Sequence, residues 1–134
     1  MTTEINPAVA AAVVAQDGRV LLVRRRVSEG ALLWQFSAGK IESEEAAGEA
    51  AACETREETG LLVTSQIVLG QRFHPMTGRE IHYIVCRTSG GDAGIASADE
   101  VAGPAWVAHG EIPHYVPYGL FEPVQDYLDA ALLS

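Results

Sequence analysis

Cysteines, basic side chains and long apolar runs are all scarce in this chain, and each scarcity closes off a class of function. Of 134 residues only two are cysteine, Cys53 and Cys86. Neither stands in a C-x-x-C or similar metal or redox spacing, so a disulfide framework and a zinc ribbon are excluded and a reducing, cytoplasmic setting is expected. Both thiols read most simply as small buried apolar groups. Nine Lys and Arg face 18 Asp and Glu, a formal net charge of −9. Such a field repels polyphosphates, which argues against a nucleic-acid polymer or an anionic membrane surface as partner. His74, His82, His109 and His114 show no metal-ligand spacing and read as loop or surface residues. The opening MTTEINPAVAAAVVAQ carries no basic leader, and its apolar run from Ala8 to Ala15 is far short of the about 20 residues that cross a bilayer. It is expected to be a strand.

What the chain does have is 48% hydrophobic and 20% charged residues, the balance of a folded domain, with no repeat and no low-complexity tract. One domain over 1–134 is expected. A small phosphorylated ligand remains open, because a metal and a few Arg can invert the local field. Pro7 to Ala15 and Arg19 to Arg26 read as two strands joined at Asp17-Gly18, and Leu32 to Phe36 as a short strand ending in Ser-Ala-Gly-Lys. Glu42 to Thr59 reads as a helix stopped by Gly60. Leu61 to Phe73 and Glu80 to Thr88 are predicted strands around a turn at His74 to Gly78, and Pro104 to Ala108 is a last strand. From Leu120 to Leu132 the apolar residues keep helical period. Strands interleaved with one central and one terminal helix predict an α/β fold, a mixed β-sheet covered on both faces as an α/β/α sandwich.

The central helix carries an electrostatic oddity. Glu54, Glu57 and Glu58 occupy i, i+3 and i+4, within about one 5.4 Å turn. Each like-charged pair costs about 0.2–0.5 kcal/mol, and anions in a last turn oppose the helix dipole. A bound divalent cation relieves both penalties, and hard oxygen ligands select Mg²⁺, with Mn²⁺ able to substitute. The alternative is a solvated acidic face.

These carboxylates sit inside a longer spaced pattern: Gly39, then Glu45, then Cys53-Glu54-Thr55-Arg56-Glu57-Glu58-Thr59-Gly60-Leu61. The pattern resembles the Nudix box of the MutT-like hydrolases, G-x5-E-x7-R-E-U-x-E-E-x-G-U, where U is a bulky aliphatic residue. Seven of nine defined positions agree across the 23 residues from Gly39 to Leu61. Arg24-Arg25, the Trp34-Gln35-Phe36 strand leading into Ala38-Gly39-Lys40, and Ala105-Trp106-Val107 also look like the wider family. Cys53 stands where the family has Arg, Thr55 where it prefers a large aliphatic residue, and Ser37 where many relatives have Pro. The resemblance implies that the missing Arg orients the box glutamates, a bidentate pairing that a thiol cannot form. Arg56, Arg24 or Arg25 are the candidate substitutes.

The resemblance implies a Nudix-type α/β/α sandwich and a set of roles. Glu57 and Glu58 would be metal ligands, Glu54 a ligand or the base that activates water, and the Gly39 carbonyl a further ligand, while Glu45 steadies the start of the helix. Glu100, with Asp99 as rival, is a candidate extra acidic ligand, its alternative being a solvated loop. Arg24, Arg25 and Lys40 are candidates for substrate phosphates, with at most one of the two arginines facing the site. Phe36, like Trp34, Tyr83 and Trp106, can stack on a base or fill the core. The implied reaction is Mg²⁺-dependent cleavage of a small-molecule nucleotide, a (deoxy)nucleoside triphosphate that is ordinary, oxidised or otherwise noncanonical, to monophosphate and pyrophosphate. ADP-ribose or nucleotide-sugar hydrolysis is the nearest enzymatic alternative. A nucleotide-binding or regulatory module with a degenerate box is the alternative from another class. Family members are often dimers, so a homodimer is open.

Overall fold

Strand β1 (Val9–Gln16) is buried on both faces from Val9 to Val14, which is why its sequence runs apolar without alternation. Val9, Ala11 and Val13 enter one core, and Ala10, Ala12 and Val14 enter another on the opposite side. The computed structural model describes residues 8–26, 32–42, 44–75, 78–91 and 101–133. Within them β1 is followed by β2 (Arg19–Arg26), β3 (Leu32–Gln35), β4 (Ser37–Lys40), helix α1 (Ala47–Thr59), β5 (Leu62–Phe73), β6 (Glu80–Gly90) and β7 (Val101–Ala108). The single-turn α2 (Ile112–Tyr115) and the terminal α3 (Glu122–Leu133) complete it. The sheet order is β3-β2-β1-β6-β5, with β4 also pairing β1 and β7 pairing β2. β1 and β6 are parallel and the other pairs antiparallel, so the sheet is mixed, as expected.

Helix α1 covers one face through Ala50 and Ala51, and α3 covers the other through Val124 and Leu128. The α/β/α layering predicted from the sequence is therefore the observed one. No described helix is long and apolar enough to cross a membrane.

Several boundaries differ from the sequence expectation, each for a local reason. The expected helix start at Glu42 moves to Ala47 because Glu44 takes a left-handed backbone (φ 68) and Ala46 is extended. The Glu49 carboxylate then accepts the Ala46 N–H at 3.1 Å. Gly60 ends the helix as expected, at φ 83 with its N–H on the Arg56 carbonyl. Ser37 to Lys40 is a strand of its own. β2 claims only the last two residues of β1, at Ala15 and Gln16, which leaves Val9 to Ala12 open to pair with Lys40 to Ser37. β7 starts at Val101, and a register shift between Val23 and Arg25 of β2 flanks Pro104, which has no N–H to give. The turn at His109 to Glu111 and α2 were not expected from the sequence.

Candidate active site

β4 brings the site together by its alternation. Ser37 and Gly39 face α1, whereas Phe36 and Ala38 enter the core on the α3 side and Lys40 pairs Val9, which lies in that same core. Gly39 lies so close to the helix that a Cβ there would overlap Cγ and Cδ of Glu54. Two turns of small residues permit this approach, since α1 buries only Ala50, Ala51, Thr55, Glu58 and Thr59. Thr55, which replaces an aliphatic residue, is fully buried and satisfied, its hydroxyl donating to the Ala51 carbonyl at 2.8 Å.

The three box carboxylates are held differently. Glu58 is 3% exposed and its Oε1 accepts the Ser37 hydroxyl at 2.7 Å and the Ala38 N–H at 3.3 Å. Glu57 is exposed and accepts the Cys53 thiol at 3.5 Å. Glu54 is half-buried over Gly39. Glu45 lies ahead of the helix rather than in it, accepting the Glu42 N–H at 3.0 Å. Among the described residues no three His, Cys, Asp or Glu side chains converge closely enough to hold a metal ion. The chemistry of the donors nevertheless fits a divalent cation, since they are hard oxygens on one helix face beside a glycine. Glu100 and the side chain of Arg25 lie outside the described residues.

Cys53 is exposed, which corrects the expectation of a buried thiol; Cys86 is buried as expected. Desolvation, then the bond to Glu57 and the charges of Glu57, Glu54 and Glu45, push the Cys53 thiol above its ordinary value of 9.0. It is a neutral, weak donor in a place of dense negative charge.

Of the expected substrate-binding residues, Arg24, Phe36 and Lys40 lie on the other face. Arg24 lies over the Trp34 ring, 5.7 Å from its centroid, and its Nε is buried with no hydrogen-bond partner among the described residues. Phe36 is buried edge-on to Tyr83, and Lys40 is exposed. Trp34 packs edge-on against Tyr115, and Trp106 packs against the core on the α1 side. The same face holds groups that the sequence did not single out. The Arg72 guanidinium sits 5.8 Å from the Tyr83 ring and 5.2 Å from that of Phe121, and its Nε donates to the Tyr83 hydroxyl at 3.3 Å. His74 lies in the expected turn after β5 but is only 6% exposed, with its ring nitrogen 3.2 Å from the Tyr118 hydroxyl. The sequence marks Ser37 only as a position where many relatives have Pro. Its role depends on a contact 21 residues away in the chain, for which the sequence holds no local signal.

The pattern that carries these positions extends well past the box. The NUDIX domain family matches residues 4–130. The chain belongs to the Nudix family. Nudix proteins generally use divalent metal ions and act on small nucleotides. One Nudix relative, the CTP pyrophosphohydrolase of Escherichia coli (strain K12), is 37% identical over 75 residues, 55% of this chain and 56% of that protein. A Bacillus subtilis (strain 168) protein provisionally named an 8-oxo-dGTP diphosphatase is 29% identical over 119 residues, 89% of this chain and 77% of its own. The match thus spans about half the length of the first relative and about three quarters of the second. A NUDIX hydrolase structure from Nitrosomonas europaea superposes with a TM-score of 0.76 at 21% identity, over 94% of this chain and 91% of that one. At that identity the likeness speaks for the Nudix fold alone.

Proposed function

We propose that this Nudix chain is a pyrophosphohydrolase that cleaves a (deoxy)nucleoside triphosphate, including oxidised or noncanonical ones, to the monophosphate and pyrophosphate. The observation that supports it most is the set of three carboxylates on the last two turns of α1, of which Glu54 packs against the β4 glycine that the box specifies and Glu58 against its neighbours Ser37 and Ala38. The names of the two relatives point to the same substrate class, one to CTP and the other to 8-oxo-dGTP.

In this reading Glu57, Glu58 and the Gly39 carbonyl would hold Mg²⁺, or Mn²⁺ in its place, with Glu54 either a further ligand or the base. Bound there, the ion would neutralise charge on non-bridging phosphate oxygens and make water a better nucleophile. The water oxygen attacks phosphorus in line, the bridging P–O bond breaks, and pyrophosphate leaves with the bridging oxygen. As the base, Glu54 accepts the proton that the water loses. Two free cysteines suit a reducing, cytoplasmic setting.

Cys53 favours a second reading, a nucleotide-binding module without turnover, since an exposed neutral thiol replaces a cation among the carboxylates. Product analysis across a panel of nucleoside triphosphates, oxidised triphosphates, ADP-ribose and nucleotide sugars, with Mg²⁺ or Mn²⁺, separates the two. The expected result is monophosphate and pyrophosphate from at least one triphosphate, abolished by a chelator. Turnover confined to ADP-ribose or a nucleotide sugar would move the substrate assignment, and nucleotide binding with no turnover would establish the module.

A further inference from the structure

We propose that Ser37 is the positioning residue of this site, its hydroxyl setting the Glu58 carboxylate in the orientation that a divalent cation requires. The proposal rests on the reading of Glu58 as a metal ligand given above.

Ser37 is fully buried and Glu58 is 3% exposed, so neither side chain has water to fall back on. They meet across the layer between β4 and α1, where Ser37 Oγ donates to Glu58 Oε1 at 2.7 Å. That is a short, well-formed O–H···O distance. The second donor from β4, the Ala38 N–H, reaches the same oxygen at the longer distance of 3.3 Å. The hydroxyl is therefore the stronger of these two restraints. Its own position is fixed by the sheet, because Ser37 pairs Ala12 of β1 in the β4 ladder. Glu58, by contrast, has three side-chain torsions to settle, and a bond from a rigid strand settles them before any ligand arrives.

The neighbouring ligand candidate shows what Ser37 adds. Glu57 is met by the Cys53 thiol at 3.5 Å, a weak sulfur donor on an exposed side chain. Ser37 thus anchors the inner carboxylate, whereas Glu57 is met only by a weak donor. An outer partner of a metal ligand typically contributes about 10–100-fold in metal affinity.

The test is a Mn²⁺ titration followed by electron paramagnetic resonance, which needs no turnover. Ser37→Ala, which removes one oxygen and no more volume, is expected to weaken Mn²⁺ binding by about 10–100-fold. In a Glu58→Gln background the same change is expected to cost less than about twofold, because the residue through which Ser37 acts has gone. Unchanged Mn²⁺ affinity in Ser37→Ala, or an equal loss in both backgrounds, would overturn the proposal and leave the hydrolase reading standing. Weakened Mn²⁺ binding in a chain that turns over no nucleotide would support Ser37 and remove the hydrolase reading. A wild-type chain that takes up no Mn²⁺, with or without nucleotide, would remove both.

Discussion

The two faces of the central sheet solve opposite problems. On the α1 side Val14, Leu21, Leu61 and Ile84 pack with Ala10, Ala12, Ala50 and Ala51, and Ser37, Thr55, Glu58 and Thr59 are buried beside them, so that where β4 meets α1 the contact is made by small and polar side chains. On the α3 side it is built from Leu22, Phe36, Tyr83, Ile112, Val124 and Leu128, with Trp34 and Phe121 against its margin. Small side chains give little hydrophobic stabilisation, but they let helix and strand backbones approach until a glutamate and a serine on separate elements meet. Large ones bury more apolar area each. The site is thus placed where small residues let β4 and α1 approach, and the aromatic-rich packing lies on the opposite face.

Truncating the large-residue face should cost most. Leu128→Ala removes a fully buried side chain and is expected to lower unfolding free energy by about 2–5 kcal/mol in urea titration, with catalysis by the remaining folded chain unchanged. An equal loss of turnover per folded molecule would mean that the two faces are coupled.

Gly39→Ala acts on the other face. The added methyl group displaces Glu54, and kcat/KM is expected to fall about 100-fold, equivalent to about 2.7 kcal/mol in the barrier. The thermal midpoint should fall as well, because Cγ lies one bond from the Glu54 Cβ and clearing it needs a new rotamer or a shift of α1 against β4. Activity within about threefold of wild type would show that the close approach of β4 and α1 is not needed for chemistry.

The smallest effect concerns His74 on the large-residue face. Burial, and then the nearby Arg72, hold its imidazole below the ordinary value of 6.5. Between the folded value and 6.5 the unfolded chain binds a proton that the folded chain does not. Stability is therefore full above about 6.5 and declines as pH falls through that window. His74→Gln should flatten this part of the midpoint-versus-pH curve. If the slope persists, another group is titrating.

Different physical scales explain what was legible. The two-sided burial of β1 shows in its unbroken apolar run, and the end of α1 shows in Gly60, because both are written in neighbouring residues. β4 was hidden because Ser-Ala-Gly-Lys has no strand propensity of its own and pairs only where β2 leaves β1 uncovered. The helix start was misplaced because Glu42, Glu44 and Glu45 are good helix formers in isolation. Glu45 instead turns back to the Glu42 N–H ahead of the helix. Cys53 is exposed against expectation because burial depends on which face of an element meets another layer.

By itself the sequence determined the α/β/α architecture, the family, and the carboxylates at Glu54, Glu57 and Glu58, since periodicity and fixed spacing along a chain survive without coordinates. Only the tertiary structure decided that Glu58 is buried against Ser37, that Glu57 is left with a thiol, and that Arg24 and Phe36 lie across the sheet from the box. Hydrogen bonds and burial between distant elements are properties of packing, and no local pattern encodes them.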